Sequence, residues 1–321
     1  MLATVFLSGC AGNDDQEINQ LTFGYQPSTH QIAYMTAAES GWWEENLKPH
    51  GIETIKDNEF STGSPEMQAM LAGDLDVAYV GAAPFVSSLD KGLDAKIVAG
   101  VQTQGSSLVL RPQLAENYES PMDLQGLKIA TFPPGTIQDT ILRNWLNDNG
   151  LDPDNDVDIV DMGSGDAISA ISAGRVDGVF LPHPAPSIIE SEGSGQSVVE
   201  SGQMWEEHAC CVLVVSGDLI RNNPEITREI VRTHIQATQY NEDHMDEAAQ
   251  TFSNYTGWEE SQVKKSLDEW DGEWIADPKI ITDSTVNYAQ LQYELGYIDK
   301  ELTKEDMFDT SFYESVEDST S

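Results

Sequence analysis

The feature that most constrains the fold is a six-residue segment that occurs twice in the chain. It reads Ala-Gly-Asp-Leu-Asp-Val at 72–77 and returns 101 residues later as Ala-Gly-Arg-Val-Asp-Gly at 173–178. Each copy ends a helical pattern, turns at its glycine and enters an apolar strand. A Gly/Ser turn that can open a helix precedes both copies, at 63–64 and at 164–165. The spacing is too long for a solenoid repeat and predicts two lobes of one α/β design, with chance similarity of a common unit as the alternative.

Short apolar runs alternate with amphipathic segments from residue 21 onward, which is typical of an α/β protein. We predict strands at Leu21–Tyr25, Ile52–Ile55, Val77–Val80, Ala95–Val101, Ser107–Leu110, Lys128–Thr131, Val157–Val160, Gly178–Leu181 and Val212–Ser216, with helices between them. After Gly217 the pattern changes, because Asn223 followed by Pro224 opens a helical periodicity. The C-terminal third is therefore predicted to be all helix.

The charge of the chain is strongly one-sided, with 55 Asp and Glu against 16 Lys and Arg and a formal net charge of -39. The acidic residues are spread along the chain, and a salt-adapted, halophilic surface explains this best, with an acidic mesophilic protein as the alternative. No run of Lys or Arg is visible. Such a surface repels nucleic acid and anionic lipid headgroups, so we expect no nucleic-acid partner.

The N-terminal residues predict a lipid anchor. An apolar stretch ends in Leu-Ser-Gly-Cys at 7–10, which looks like a lipobox, and the polar tract at 11–20 suits a tether between a lipidated Cys10 and a folded body. A signal peptide normally also has a basic region and a longer apolar segment, and both are missing here. The alternative is a buried apolar strand with an incidental cysteine.

Candidate binding positions follow from the rule that open α/β sheets bind ligands beyond the carboxyl ends of their strands. Helix starts are predicted there at Ser28 with Gln31 as a capping box, at Ser64 before Pro65, at Gly81 to Pro84, and at Thr136 with Asp139. Clustered helix N termini offer unpaired N–H donors and partial positive charge, so they bind an anion without a cationic side chain. His30 and His183 lie near these junctions and can add a donor or a titratable charge.

The cysteines and histidines predict neither metal nor catalysis. A disulfide between the adjacent Cys210 and Cys211 would force a strained ring, so both are expected to be small buried or cleft-lining residues. With six scattered His and no CxxC or HExxH motif, we expect no metal site and no cofactor. There is also no GxSxG elbow, GxGxxG fingerprint or Walker loop, and a thiol nucleophile near His208 lacks an evident partner. We therefore expect a protein that is not an enzyme.

These segments together resemble the nitrate/sulfonate/taurine-type substrate-binding proteins of ABC transporters, a group that includes thiamine-precursor binders. The resemblance covers nearly the whole chain and is carried by residues in fixed order: Gly24 and Tyr25, Ala72–Asp76 before Gly81 and Pro84, Asp123–Ala130, Ala173, Gly174, Asp177 and Gly178, and Cys210–Val214 followed by Asn223 and Pro224. With the acidic surface and Cys10, it suggests a haloarchaeal lipoprotein.

The resemblance implies a type II periplasmic-binding-protein fold, with two α/β lobes joined by a two-strand hinge and a helical C-terminal part. The hinge strands should cross near Gln104–Ser107 and near Cys210–Leu213. The expected divisions are signal and tether at 1–20, the first lobe at 21–105, the second lobe at 106–211, and a return to the first lobe at 212–321. The resemblance further implies a monomer on the extracellular face of the cell membrane, with an ABC permease and its ATPase subunits as partners.

Helix termini and resemblance together give twelve candidate ligand-binding residues: Ser28, Thr29, His30, Gln31, Gly63, Ser64, Gly81, Ala82, Gln104, Gly135, Thr136 and His183. The loop at 182–186 departs from the aromatic and acidic loop of many relatives, so the ligand can differ from theirs. The first hypothesis is a small oxyanion such as a sulfonate, taurine or nitrate. The second is a thiamine-precursor pyrimidine, and the third is a fold-related cytosolic biosynthetic enzyme.

Overall fold

The computed structural model of the protein describes residues 18–320, and the predicted lipobox around Cys10 lies outside them. Strands of this part are β1 (Gln20–Tyr25), β2 (Thr54–Glu59), β3 (Val77–Gly81), β4 (Ala95–Thr103), β5 (Ser106–Leu110), β6 (Lys128–Thr131), β7 (Asp158–Asp161), β8 (Gly178–Pro182), β9 (Gln196–Glu200), β10 (Ala209–Ser216) and β11 (Glu273–Trp274).

Helices surround these strands on both sides of the molecule. They are α1 (Ile32–Glu39), α2 (Trp42–Leu47), α3 (Gly63–Ala72), α4 (Ala82–Asp90), α5 (Pro112–Ala115), α6 (Ile137–Asp148), α7 (Ser164–Ser172), α8 (Ala185–Ser191), α9 (Ser201–Met204), α10 (Gly217–Asn222), α11 (Pro224–Asp243), α12 (Met245–Thr256), α13 (Glu260–Glu269), α14 (Thr282–Glu294), α15 (Lys304–Met307) and α16 (Ser311–Thr320). Short 3-10 helices occupy Thr29–Gln31, Lys48–His50 and Pro121–Leu124. Within residues 18–320 no helix has the length and apolar character needed to cross a membrane.

The strands form two sheets of closely similar design. The first has the order β11-β4-β10-β3-β1-β2, and the second has the order β7-β6-β8-β5-β9. In the first sheet β1 runs parallel to β2 and β3, while β10 runs antiparallel to β3. In the second sheet β6 runs parallel to β7 and β8, while β5 runs antiparallel to β8. The prediction of two α/β lobes is thus confirmed.

The repeated six-residue segment has the same structural role in both lobes. Asp76 accepts a hydrogen bond from the Thr22 N–H at 2.8 Å, and its own N–H donates to the Thr22 carbonyl at 2.9 Å. Asp177 forms the same pair with Lys128, at 3.0 and 2.8 Å. Each aspartate therefore joins the start of the strand that follows its helix to the neighbouring parallel strand, β1 in the first lobe and β6 in the second.

Edge strands account for most of the differences from the predicted elements. β2 begins at Thr54 rather than Ile52 and carries exposed polar residues, and β9 and β11 were not predicted at all. Each of these strands pairs on one side only. An edge strand needs no continuous apolar pattern, because one side of it faces solvent. The prediction of an all-helical C-terminal third is wrong at β11, which extends the first sheet beside β4.

The chain passes between the sheets at two places in the described residues. The first crossing is at Gln104 and Gly105, between β4 and β5, as predicted. The second runs through 201–208, between β9 and β10. The predicted second crossing at Cys210–Leu213 is wrong, because these buried residues lie inside β10 and pair with β3 and β4. The division at 21–105, 106–211 and 212–321 stays a prediction.

A single aspartate ties the two crossings together. The Asp271 carboxylate accepts hydrogen bonds from the Gly105 N–H at 2.9 Å and from the Gly202 N–H at 2.6 Å. Gln104 and Gly105 both have left-handed backbone conformations, with φ of 55° and 81°. A carboxylate can hold two backbone donors at once, since it offers two acceptor oxygens. Asp271 therefore links both crossing segments to the C-terminal part of the chain.

Candidate ligand-binding site

A cavity of about 340 Å³ lies at the carboxyl ends of strands from both sheets. Its wall includes Gln26 after β1, Gly81 at the end of β3, Phe132 after β6 and Pro182 at the end of β8. The rest of the wall is Pro27, Ser28, His30, Gln31, Glu59, Ser61, Gly63, Pro84, Thr136, Ile137, Gln138, Gly163, Ser164, Gly165, Asp166, Cys210, Cys211 and Trp258. This position is the one at which open α/β sheets bind their ligands.

Four helices begin in this wall, two from each lobe. The helices α3, α4, α6 and α7 start beside Gly63, Gly81, Thr136 and Ser164, respectively. Their first N–H groups have no partner within the helix, and the helix dipole places partial positive charge there. Four such N termini around one cavity can hold the anionic group of a solute.

The glycines at two of these helix starts allow close packing around the cavity. A Cβ at Gly63 would lie 2.7 Å from the Pro84 ring, and a Cβ at Gly81 would lie 3.1 Å from Ile137 in the other lobe. Real Cβ atoms are not found at the first distance. A side chain at Gly63 would therefore require Pro84 to move, and one at Gly81 would require Ile137 to shift by a few tenths of an ångström.

Two glutamines and a buried carboxyl group fix one side of the cavity. The Gln26 N–H donates to Gln31 Oε1 at 2.7 Å, and the Gln26 side-chain amide donates to Glu66 Oε2 at 2.7 Å. Glu66 is fully buried. Burial holds the pKa of Glu66 well above its ordinary value. Burial thus favours the neutral carboxyl, and Glu66 Oε2 orients the Gln26 side chain by accepting its amide hydrogen.

The charged residues of the wall are acidic. Glu59 and Asp166 are exposed, one in each lobe. Among the described residues that line the cavity, none is Lys or Arg. Trp258 is half-buried and adds an aromatic surface to the same wall. The cavity thus combines helix N termini with a mouth that attracts cationic groups.

His30 lies beside both cysteines. Cys210 Sγ is 3.2 Å from His30 Nδ1, Cys211 Sγ is 3.9 Å from the same atom, and the two sulfurs are 3.9 Å apart. Both thiols are free and buried. A hydrogen bond between the thiols, with smaller contributions from His30 and Gln31, lowers the pKa of the Cys211 thiol. The expectation that both cysteines are buried or line the cleft is confirmed.

His183 is buried between two serine side chains. Its Nε2 lies 3.0 Å from Ser107 Oγ and its Nδ1 lies 2.9 Å from Ser266 Oγ. Burial, with the charges of His30 and Lys265, lowers the pKa of His183 to about 3. Both ring nitrogens of His183 thus have serine partners, and His183 does not line the cavity.

The twelve predicted residues divide between the wall and its surroundings. Those in the wall are Ser28, His30, Gln31, Gly63, Gly81 and Thr136. Those outside it are Thr29, Ser64, Ala82, Gln104, Gly135 and His183. Direct contact of any of them with a solute stays a prediction.

The predicted helix caps need three corrections. Ser28 caps the 3-10 helix at Thr29–Gln31 and accepts from the His30 N–H rather than from Gln31. The cap of α3 is Thr62, and Ser64 lies inside the helix. Thr136 does precede α6, but its hydroxyl donates to the Pro133 carbonyl at 2.7 Å. The hydrogen of that hydroxyl is therefore used within the turn, while its oxygen can still accept a hydrogen bond.

Several wall residues were not predicted from the sequence. They include Gln26, Glu59, Ser61, Gln138, Asp166 and Trp258. Gln26 directly follows β1, so the carboxyl-end rule could have found it. Trp258 lies in the turn between α12 and α13, far along the chain from the strands that form the site. No spacing in the sequence indicates that contact.

A cavity between two α/β lobes joined by crossing segments defines the class of periplasmic-binding-protein folds. The TM-score is 0.82 with the periplasmic nitrate-binding protein NrtA from Synechocystis PCC 6803, at 14% identity over 94% of this chain and 89% of that one. It is 0.78 with the alkanesulfonate-binding protein SsuA from Xanthomonas axonopodis pv. citri bound to MOPS, at 19% identity over 90% and 97%. The predicted fold class is confirmed.

The chain belongs to the NMT1-like family, which matches residues 14–253. It is 25% identical over 319 residues to a Bacillus subtilis (strain 168) protein named "Putative aliphatic sulfonates-binding protein", spanning 97% of this chain and 94% of that protein. It is 24% identical to the nitrate/nitrite binding protein NrtA of Synechococcus elongatus over 76% of this chain and 60% of that protein. It is also 24% identical to the nitrate import ATP-binding protein NrtC of Synechocystis, over 74% of this chain and 37% of that protein.

Proposed function

We propose that this protein is the solute-binding component of an ABC importer and that it captures a small solute in the cavity between its lobes. The relatives named for sulfonate or nitrate binding support the class of function, and the match to an ATP-binding transport protein supports an ATPase partner. The named relatives give no support to the thiamine-precursor hypothesis or to the enzyme hypothesis. No catalytic role is proposed for this chain.

The solute is a zwitterion with an anionic end and an ammonium end, as in taurine and other aminoalkanesulfonates. The observation that carries this proposal is the pairing of four helix N termini with two carboxylates in one wall. Helix N termini stabilise the sulfonate oxygens, as they stabilise other oxyanions. Glu59 and Asp166 stabilise an ammonium group and repel a bare anion such as nitrate, since no Lys or Arg of the described wall offsets them.

Isothermal titration in molar KCl tests this proposal with taurine, propanesulfonate, nitrate and an aminopyrimidine. Propanesulfonate has a methyl group where taurine has its ammonium, so the pair isolates the contribution of the cation. An ion pair with an exposed carboxylate contributes about 0.2–1 kcal/mol, so taurine should bind up to about fivefold more tightly. The variants Glu59→Gln and Asp166→Asn should reduce that preference, whereas Glu53→Gln, on an exposed acid outside the wall, should leave it unchanged.

Three results would contradict the proposed solute class. They are equal affinity for taurine and propanesulfonate, binding of nitrate alone, and binding of the aminopyrimidine without any sulfonate. The first two results would still be consistent with a solute-binding component of an importer, but one with a different solute specificity. The third would contradict the hypothesis of an oxyanion solute and would favour the hypothesis of a thiamine-precursor pyrimidine.

The proposed function also includes an attachment to the cell membrane and a transport partner there. We propose a monomer held at the extracellular face of the membrane by a lipid on Cys10, which delivers its solute to a permease coupled to ATPase subunits. The apolar stretch before Leu-Ser-Gly-Cys supports the anchor. Cell fractionation tests it, because a Cys10→Ser protein that stays with the membrane as tightly as the original would contradict a lipid tether.

A further inference from the structure

The group formed by His30, Cys210 and Cys211 at the base of the cavity has the composition of a metal site. Each of the three side chains offers one ligand atom, all three atoms lie within 4.8 Å of one another, and all three residues are buried. They also line the cavity, so an ion can reach them from solvent. No spacing motif reveals this group, because His30 is 180 residues away from Cys210 along the chain.

The pairing of β10 with β4 is irregular beside the two thiols. Adjacent residues of a regular strand point to opposite faces of the sheet. In the pairing of β10 with β4, however, Ala209 lies opposite Thr103 while Cys211 lies opposite Gln102, and the register shifts on both sides of Cys211. Before Cys211 two positions along β10 thus correspond to one along β4, and after Cys211 one position corresponds to two, so the ladder is locally irregular at the cysteines. Both thiols lie beside His30 Nδ1, at 3.2 and 3.9 Å.

The remaining nitrogen of His30 is held by the first crossing segment. His30 Nε2 lies 2.7 Å from the Gly105 carbonyl oxygen. Since a carbonyl only accepts, Nε2 carries the hydrogen and Nδ1 presents its lone pair to the thiols. A Cβ at Gly105 would lie 2.9 Å from Nε2, so a glycine leaves room for this contact. Histidines that bind metals through one nitrogen usually donate the other N–H in this way.

We infer that His30 Nδ1, Cys210 Sγ and Cys211 Sγ bind one thiophilic metal ion of the Zn²⁺ class, with its fourth coordination position open to the cavity. With Zn–S of about 2.3 Å and Zn–N of about 2.0–2.1 Å, a tetrahedral ion needs about 3.8 Å between sulfurs and about 3.6 Å between sulfur and nitrogen. The sulfurs are 3.9 Å apart, and their distances to Nδ1 are 3.2 and 3.9 Å. Shifts of the three ligand atoms by a few tenths of an ångström would bring these distances to the tetrahedral values.

Binding balances in charge as well as in geometry. Two S–H protons leave to solvent while two Zn–S bonds and one Zn–N bond form, so the ion and its two thiolates carry no net charge. The Gln31 side-chain amide lies 3.7 Å from Cys211 Sγ and can donate to the bound thiolate. This inference goes beyond the proposed function and does not depend on which solute the cavity holds.

Cobalt spectroscopy of the reduced full chain tests the site. A Cys10→Ser background removes the third thiol, and metal-free protein in molar KCl is titrated with Co²⁺ and then with Zn²⁺. We expect one Co²⁺ per chain, a thiolate-to-cobalt band in the near ultraviolet, strong tetrahedral d–d bands, and the loss of all of them when Zn²⁺ is added. Release of two protons per Zn²⁺ in weak buffer is the second readout.

Variants separate this site from nonspecific binding. Three variants each remove one proposed ligand: Cys210→Ala, Cys211→Ala and His30→Gln. Each should weaken Zn²⁺ binding by more than about tenfold, because loss of a residue that only supports a metal ligand already weakens binding by about 10–100-fold. His234→Gln is the matched control, because buried His234 also lies 2.7 Å from a carbonyl, that of Gly100, and no thiol lies beside it in the described structure. Circular dichroism checks that each variant is folded, and Cys→Ser versions replace any alanine variant that is not.

Two outcomes would overturn the inference. One is the absence of a thiolate-to-cobalt band in reduced protein. The other is an unchanged band and unchanged Zn²⁺ affinity in a folded variant that lacks both Cys210 and Cys211. A taurine titration of the same metal-free protein is scored separately, so failure of the metal site and failure of the solute proposal are distinguishable.

Discussion

At the scale of single residues, Glu200 makes the stability of the fold depend on pH. Burial, together with the nearby charge of Asp271, raises the pKa of Glu200 from 4.5 to about 7, although the Ser107 hydroxyl donates to its carboxylate. The folded state therefore favours the protonated carboxyl. Its contribution to stability is complete below pH 4.5 and is lost as the pH rises through about 7. We expect Glu200→Gln, which keeps a neutral acceptor for Ser107, to be more stable than the original protein above that pH.

Urea unfolding near pH 4.5 and again about a unit above pH 7 measures this difference. The gain of Glu200→Gln over the original protein should be small at the lower pH and larger at the higher one. Glu206→Gln is the control, since Glu206 is exposed in the neighbouring turn. Parallel pH profiles for Glu200→Gln and the original protein would show that Glu200 ionises without cost in the folded state.

Single residues also show where prediction from the sequence ends. Gly63 and Gly81 could be placed at the cavity because they follow local rules for strand ends and helix starts. The contact of His30 with Cys210 could not, because it joins parts of the chain that are 180 residues apart. The acid at Asp166 follows the predicted turn by one residue, yet nothing in its spacing distinguishes it from the many exposed acids.

At the scale of elements, the two crossing segments depend on Asp271. Its carboxylate accepts the N–H groups of Gly105 and Gly202, which lie on different crossings. Removing it leaves two half-buried donors without these partners, and each such loss costs about 1–3 kcal/mol. We expect Asp271→Ala to lower the free energy of unfolding by about 1–3 kcal/mol, since water can replace part of these contacts. Urea unfolding in molar KCl measures the change.

The control for this prediction is Asp268→Ala, because Asp268 is an exposed acid in the same region of α13. Asp271→Asn should be intermediate, since its amide retains one acceptor oxygen. Equal stability of Asp271→Ala and Asp268→Ala would show that the two crossings hold their geometry without the carboxylate.

The elements that could be predicted are those buried in a sheet. β3, β6 and β8 read as apolar runs, and their predicted bounds agree with the structure within one residue. β2 and β9 are polar because they lie at sheet edges, and their positions depend on pairing with β1 and β5 rather than on their own sequences. Pairing partners of this kind are a tertiary property, which single-sequence patterns do not contain.

At the scale of the whole molecule, the duplication of one segment was enough to predict two lobes. The second crossing was misplaced because the apolar run around Cys210 reads equally well as a connecting strand or as a sheet interior. The cavity combines residues from both lobes, as Gly63 and Ser164 show. The two acids of its wall, Glu59 and Asp166, come from different lobes, so the sequence alone does not show that they lie in one cavity.

The net charge of the whole molecule predicts a strong dependence on salt. A formal charge of -39 opposes the compact state, and the screening length falls from about 30 Å at 0.01 M salt to about 3 Å at 1 M. We expect the helical circular dichroism signal to be lost at millimolar KCl, to recover as KCl approaches molar concentration, and not to recover in sucrose, which stabilises compact states without screening charge. Full helical signal at millimolar KCl would contradict a salt-adapted surface, because the carboxylates would then be tolerated without counterions.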